Sequence, residues 1–499
     1  MENNEMNTPW EASPGKIEAP SFASGNREMI LAAVLLILSV GLCNCVFYAG
    51  FNLGFAVCSL GILAASAAFV LRRRPSGYCV TLLSLSAVIL ASFIRSDDGF
   101  VKFMMLCFVA VAVNVALALG SGKNRYDPAG FLSLLDAPRT FFSQGFGTWG
   151  PSLRGLTAAL KQLTGKSKTG GAVLLGLVIA VPVLAVMIPL LTSADAAFDG
   201  LLSLLPEMDF REFFTSVLLG CMVFPVVYSR CTGLYHGKPT AEGKKEDGKY
   251  INHITVITAL GMVCLLYGVY LLSQLAYFVG GFSGILPKGF TMAEYARRGF
   301  FEMATLCGIN LGIIALSVGL VRKTPRAPLA LRLECLFVGL ITLFLVVSAS
   351  AKMGMYIGSY GLTRLRVLTE VIMVFLGLAA AMVCLWLFVP KFAYMKAVLL
   401  LALVMGAAVS WTDVDTLVAH YNVRAYQSGK LDTVDVAYLA SLSDGAVPYL
   451  EELSRDENTA IRAEAHTWLT RKNGEKPDIR SWNITGIQAW EILSDNNSQ

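Results

Sequence analysis

Uncharged, apolar runs of about 20 residues recur along this chain, and their recurrence limits what it can fold into. Lipid offers no partners to backbone N–H and C=O groups, so a run of that length crosses a bilayer as a helix that bonds to itself. Such runs occupy 29–48, 53–71, 77–94, 100–119, 171–191, 212–229, 253–279, 300–320, 333–351, 367–389 and 396–411. With 55% apolar and only 15% charged residues among 499, a single soluble core is excluded. The expected fold is all-α: a polytopic membrane helix bundle of about 11 transmembrane helices with a small helical extracytoplasmic C-terminal domain.

Boundaries follow from where composition changes. Residues 1–28 form a polar N-terminal tail, expected to be disordered, that lacks the basic lead and small-residue cleavage site of a signal peptide. Helices 1–4 fill 29–119, a cytoplasmic amphipathic or interfacial loop fills 120–169, helices 5–11 fill 170–411, and 412–499 is a helical tail. The tail carries 14 acids against 8 bases, with helices expected over 413–428, 433–443, 445–454, 457–472 and 484–494. Within it Ala446, Leu450 and Leu453, then Ile461, Ala465 and Leu469, have the spacing of a packed helical hairpin.

Charge placement predicts orientation. Alternate loops, such as those holding Arg72, Arg73, Arg74, Lys123 and Arg125, contain 21 Lys and Arg, whereas the opposite loops contain 8. The positive-inside bias then puts the N-terminus in the cytoplasm, and eleven crossings put the tail outside. All eleven cysteines, Cys43 to Cys384, lie within or at the ends of apolar runs and read as small apolar fillers rather than a disulfide framework.

Most motif-like spacings dissolve on inspection. Gly145-Phe-Gly147-Thr-Trp-Gly150 matches G-x-G-x-x-G, but no strand precedes it and Pro151 follows. The four histidines, His236, His253, His420 and His466, are scattered, and H-E-x-x-H, G-x-S-x-G and P-loop motifs are absent. No catalytic residue, metal site or cofactor is therefore assigned, and the acidic tail gives no reason to expect nucleic acid. In the 120–169 loop, Leu153, Leu156, Leu160 and Leu163 make a helical stripe that suits either the inner-leaflet interface or docking on the bundle. Pro182, Pro189 and Pro225 are expected to kink runs five and six, while Gly308 and Gly312 would let a helix approach Asn310. Asp209 and Glu212, and again Thr291 and Glu294, have capping-box spacing.

The stretch Ser359 to Glu370, SYGLTRLRVLTE, departs from these bland patterns. Gly361 can break one helix and Thr363 can cap the next, which places Arg364 and Arg366 beside the positive end of a helix dipole. Cations are mildly unfavourable there, so an acidic partner or a bound anion is implied. The candidate ligand-binding set on this face is Arg297, Arg298, Lys352, Tyr356, Tyr360, Arg364 and Arg366. Supporting carboxylates are Asp195, Asp199, Glu294, Glu302 and Glu370, with Glu294, Arg298 and Glu302 four apart on one helix. The competing reading has these charges satisfy one another, or has the tail dock on them through Asp413, Asp415, Asp432 and Asp435.

Four stretches carry a resemblance: SADAAF (193–198), EYARRGFFEM (294–303), KMGMYIGSYGLTRLR (352–366) and LDTVDVAYLASLSDGAVPYL (431–450). Together they resemble a bacterial family of polytopic membrane proteins catalogued only as a domain of unknown function, over most of the chain from about residue 29 onward. The resemblance implies a multi-pass protein of the bacterial cytoplasmic membrane and supplies no catalytic residues. The expected function is an envelope sensor or accessory protein that binds a phosphate- or carboxylate-bearing group at its outer face. Its expected partners are the lipid bilayer and an anionic lipid or envelope precursor. A secondary transporter of an anionic solute is the alternative, and a membrane-embedded envelope transferase a further one.

Overall fold

The computed structural model describes residues 25–71, 75–126, 131–163, 210–236, 251–282, 300–320, 328–389, 392–472 and 476–497, with scattered positions between 176 and 194. Ten helices among the described residues are long and apolar enough to cross a membrane, and they coincide with ten of the eleven runs. The remaining run, 171–191, lies largely outside the described residues, as do Pro182 and Pro189.

The first four spans are α1 (Asn26–Asn44, continued as a π turn to Ala49), α2 (Leu53–Val70), α3 (Gly77–Ala91) and α4 (Gly99–Ser121). Two short amphipathic helices follow, α5 (Asp136–Gly145) and α6 (Trp149–Leu163). The later spans are α7 (Phe210–His236), α8 (His253–Phe282), α9 (Phe300–Leu320), α10 (Leu329–Tyr360), α11 (Arg364–Phe388) and α12 (Tyr394–Thr412). The tail adds α13 (Val414–Gln427), α14 (Val436–Ala440), α15 (Val447–Leu453), α16 (Thr459–Arg471) and α17 (Ile484–Asn497). These bounds follow the expected tail helices closely, and the hairpin residues Leu450, Leu453, Ile461, Ala465 and Leu469 are all buried.

The spans pack as two groups. Leu35, Phe55, Ile89, Leu117, Tyr228 and Leu403 belong to one apolar core built from α1–α4, α7 and α12. That core continues into the tail through Val418, Leu439 and Leu450, so the tail is an extension of the bundle rather than a separate bead. Helices α8–α11 have cores of their own, one around Phe300, Met303, Leu345 and Met373 and another around Leu260, Cys335 and Val383. Between them Tyr267 donates to Asn310 Oδ1 at 2.6 Å, and Asn310 Nδ2 donates to Thr342 Oγ1 at 3.1 Å. This satisfies a fully buried amide that would otherwise be costly in hydrocarbon.

One local expectation changes. Added methyl groups at Gly308 and Gly312 would meet nothing within 4 Å, so Asn310 is reached from a different face than the glycine pair. Pro225 lies inside α7, whose helix continues on both sides of it.

Both ends of the first group are marked by polar contacts. At one end His236 meets Glu28 at 3.1 Å and Lys123 Nζ donates to the Gly233 carbonyl at 2.9 Å. The tail covers the other end. There Leu53 and Gly54, whose N–H groups open α2, donate to the carbonyls of Trp482 and Arg480 at 3.2 and 3.0 Å. These are N–H groups that a helix cannot satisfy within itself. Thr485 N–H donates to the Arg95 carbonyl at 3.2 Å, and Arg480 pairs with Glu212 at the start of α7. Glu212 also accepts from Asn44 Nδ2 at 2.8 Å, so it ties the tail and α1 to α7 instead of serving only as a cap.

Candidate functional site: the α10–α11 turn and its cavity

Helix α10 is 32 residues long, roughly 48 Å at 1.5 Å per residue, and exceeds the hydrocarbon thickness. Its surplus carries Tyr356 and Tyr360 to the turn beneath the tail. Gly361 ends it at φ +72°, a left-handed conformation that glycine adopts freely, and a Cβ there would stand 2.5 Å from Asn422 Oδ1. Asn422, on α13, holds the next residue from both sides. It accepts from Leu362 N–H at 2.7 Å and donates to the Leu362 carbonyl at 2.8 Å. Thr363 then caps α11, its hydroxyl accepting from Arg366 N–H at 3.3 Å, as its sequence position predicts.

The two arginines diverge from this cap. Arg364 turns toward the tail. Its Nε donates to Asp415 Oδ1 at 2.8 Å, its Nη2 pairs with Asp415 Oδ2, and Asp98 Oδ2 lies 3.3 Å from Nε. Its backbone N–H donates to the Tyr438 hydroxyl at 2.9 Å. Asp415 is fully buried and also accepts from Ser443 N–H at 2.8 Å. Burial raises its pKa, but hydrogen bonds from Arg364 and Ser443 outweigh that and hold the carboxyl below its ordinary value. Asp98 caps α4 by accepting from Phe100 and Val101 N–H groups. Burial, and then the neighbouring Asp415, push its carboxyl upward. Asp413, also buried and at φ 52°, accepts from Thr416 at 2.6 Å and is pushed upward chiefly by burial.

Arg366 turns the other way. Its Nη1 donates to the Tyr360 carbonyl at 3.1 Å and also to that of Gly361, and its guanidinium lies 4.2 Å from the centre of the Tyr356 ring. Among the described residues it has no carboxylate partner. It lines a cavity of about 190 Å³ together with Tyr356, Thr363 and Thr369 and the apolar Phe300, Phe301, Met353 and Leu365. Polar groups therefore meet apolar walls in one small volume.

Of the candidate residues, the turn thus unites Tyr356, Tyr360, Arg364 and Arg366. Lys352 lies one turn below Tyr356, half-buried on the same helix. Glu370, four residues beyond Arg366, does not pair with it, and its Oε2 is buried without a hydrogen-bond partner. Glu302 is exposed and makes no ion pair among the described residues. Arg297, Arg298, Asp195, Asp199 and Glu294 lie outside the described residues, as does Thr291. Of the four tail acids considered for docking, Asp415 reaches an arginine, and Asp435 instead caps α14 by accepting from Tyr438 N–H at 2.8 Å. Asp98, Asn422, Tyr438 and Arg480 join the turn or the tail contact without having been singled out. Only Asp98 had a local signal, as a cap directly before a run.

A family model described as Domain of unknown function (DUF4153) matches residues 29–453. The chain belongs to that family. The match takes in all ten described spans from residue 29 on, the α10–α11 turn, Asn422 and Asp415, and ends at the close of α15. No curated protein and no solved structure matches the chain. It is a multi-pass membrane protein.

Proposed function

We propose that this protein is a membrane-embedded sensor or accessory factor that binds an anionic, phosphate- or carboxylate-bearing group in the cavity beside Arg366. One observation carries the reading. Arg364 is neutralised by two carboxylates, whereas Arg366, two residues on, faces a cavity and, among the described residues, meets two carbonyls and an aromatic ring but no carboxylate. A guanidinium stays protonated at physiological pH, and its remaining N–H donors suit an oxyanion. The apolar walls favour an amphiphile, such as an anionic lipid or an envelope precursor with a lipid tail. Occupancy would be felt by the tail, because Asn422 and Asp415 grip the same turn from its other side.

The test compares Arg366→Ala with Arg364→Ala in full-length protein purified from membranes and examined by native mass spectrometry with added anionic lipid. Arg366→Ala is expected to lose at least tenfold in binding, since a charge-assisted pair contributes about 1.5–3 kcal/mol. Undiminished binding by Arg366→Ala rejects the site. Arg364→Ala is expected to loosen the tail first.

A transport reading draws on the buried, unpartnered carboxylate oxygens of Glu334 and Glu370, since intramembrane acids often mark ion paths. Anion flux into proteoliposomes that is abolished by Glu370→Gln would favour it.

A further inference from the structure

Helices α1 and α2 cross through small residues in a regular register. An added Cβ at Gly61 would lie 3.0 Å from Leu38 Cδ1, one at Gly41 3.0 Å from Cys58 Sγ, and one at Gly54 2.6 Å from Cys45 Sγ. As one residue number rises its partner's falls by about as much, which is the pattern of an antiparallel hairpin. A glycine therefore faces each of the two cysteines, and the backbones approach closely there. Along the crossing the cysteines are one helical turn apart, since Cys45 is four residues from Gly41 and Cys58 four from Gly54.

Side-chain direction closes that gap. A helical Cα–Cβ bond leans toward its own N-terminus. Because the helices run in opposite directions, Cys45 leans away from the tail and Cys58 toward it. The two thiols converge between the helices and hydrogen-bond each other. Other cysteines meet oxygens instead. Cys79 donates to the Ala116 carbonyl at 3.1 Å, Cys231 to Ser66 Oγ at 3.4 Å and Cys307 to the Thr342 carbonyl at 3.8 Å.

The pair lies beneath the tail. Cys45 opens the π turn that continues α1, and Cys58 is in the second turn of α2. The Gly54 Cβ position that meets Cys45 is also 3.2 Å from the Arg480 carbonyl, and Arg480 Nη1 donates to Asn44 Oδ1 at 2.9 Å. Cys45 is 4% exposed, whereas Cys58 is partly exposed and is the thiol that a reagent meets first.

We infer that Cys45 and Cys58 are a redox pair that closes to a disulfide across the α1–α2 crossing. The oxidant is a disulfide, R–S–S–R. The Cys58 thiolate attacks one of its sulfurs, forming a mixed disulfide and releasing one R–S⁻. The Cys45 thiolate then attacks the Cys58 sulfur, forms the intramolecular bond and releases the second R–S⁻. Two cysteine thiols are oxidised, the S–S bond of the oxidant is reduced, and the two protons leave with the two R–S⁻ groups. Gly41 and Gly54 place no side chain in the way. Closure ties together the two helix ends on which Arg480 rests, so the redox state of the pair sets how firmly the tail's platform is held. The inference rests neither on the Arg366 cavity nor on which face is cytoplasmic.

The experiment uses full-length protein, purified reduced in detergent, freed of reductant and treated with dithiodipyridine. Remaining thiols are blocked with N-ethylmaleimide. Chymotrypsin then cuts at Phe47, Phe51 and Phe55 between the two cysteines, and mass spectrometry with fragment ions separates Cys45 from Cys43. The Cys45–Cys58 linked peptide is expected to be about tenfold more abundant than any other cysteine pair, because thiols with Cα atoms beyond about 7 Å cannot be bridged without backbone movement. Dithiothreitol should abolish it. Cys107, which is exposed, reports that the oxidant reached the protein. Cys58 arrested as the thiopyridine mixed disulfide would mean that Cys45 cannot resolve it, and would overturn the proposal. Both thiols unreacted while Cys107 reacts would reduce the pair to a packing contact, and that result overturns it too.

Discussion

Arg364 and Arg366 are two residues apart in one helical turn, yet their surroundings give them different work. Arg364 stabilises the docked tail by charge-assisted hydrogen bonds to a buried carboxylate, a pair that is costly to break from one side. Asp415→Asn is therefore expected to cost about 1.5–3 kcal/mol, because it removes the charge-assisted hydrogen bonds and leaves Arg364 with Asp98 as its one carboxylate. Asp98→Asn should cost under about 1 kcal/mol, since asparagine still caps α4 and Asp415 still pairs Arg364. The pH dependence separates the two further. The Asp415 carboxyl is held below its ordinary 3.8, so its contribution is present above that pH and is lost as pH falls through its lowered value. Asp98 is raised above 3.8, so its ionisation penalty is absent at lower pH and grows as pH rises through its folded value. Thermal unfolding of Asp98→Asn should then decline less than the parent between pH 4 and neutral, a range set by that upward shift. Equal losses and parallel pH profiles for the two variants would contradict this division. The sequence displayed both arginines and the cap that aims them, but not their divergence. That depends on Asp98, Asp415 and Tyr356, which lie far apart in the chain and meet only when three helix ends converge.

Elements were the most legible level, because a spanning helix is defined by a local property, an apolar run long enough to cross lipid. Most described spans start and stop within a few residues of their runs, and α10 overshoots its run furthest at its C-terminal end, where the surplus turns reach the α10–α11 turn beneath the tail. What escaped was the segment 478–485 before α17. It is polar, short and irregular, and nothing local marks it as the cap of α2 some 430 residues away. Removing residues 473–499 would leave the Leu53 and Gly54 N–H groups and the Glu212 carboxylate without these partners. Each such loss costs about 1–3 kcal/mol if water cannot replace the partner. Arg480→Ala should show part of that loss without deleting anything. The expected readout is a lower thermal midpoint in detergent for both, larger for the truncation. A truncated protein as stable as the full chain would reduce the segment to a passive overlay.

For the whole molecule, the division into two helix groups was not visible in the sequence, since apolar runs announce length but not neighbours. The tail resolves part of that ambiguity by where it touches. It contacts the α1–α2, α3–α4 and α10–α11 connections, the start of α7 and the end of α12. All these points must lie on one face of the membrane, and Glu28, His236 and Lys123 lie on the other. Charge gives that arrangement a direction. The second face also bears Arg125, Arg139 and Arg154, and from the positive-inside bias we propose that it is the cytoplasmic one. Alkaline phosphatase fused after Gln499 is accordingly expected to be active, while a green fluorescent protein fused at the same point should stay dark. The opposite pair of results would put the tail and the Arg366 cavity inside the cell. The geometry of the α10–α11 turn would survive that reversal, but its anion would then have to come from the inner leaflet or the cytosol. A single fusion pair thus decides which compartment supplies the ligand, whatever the ligand is.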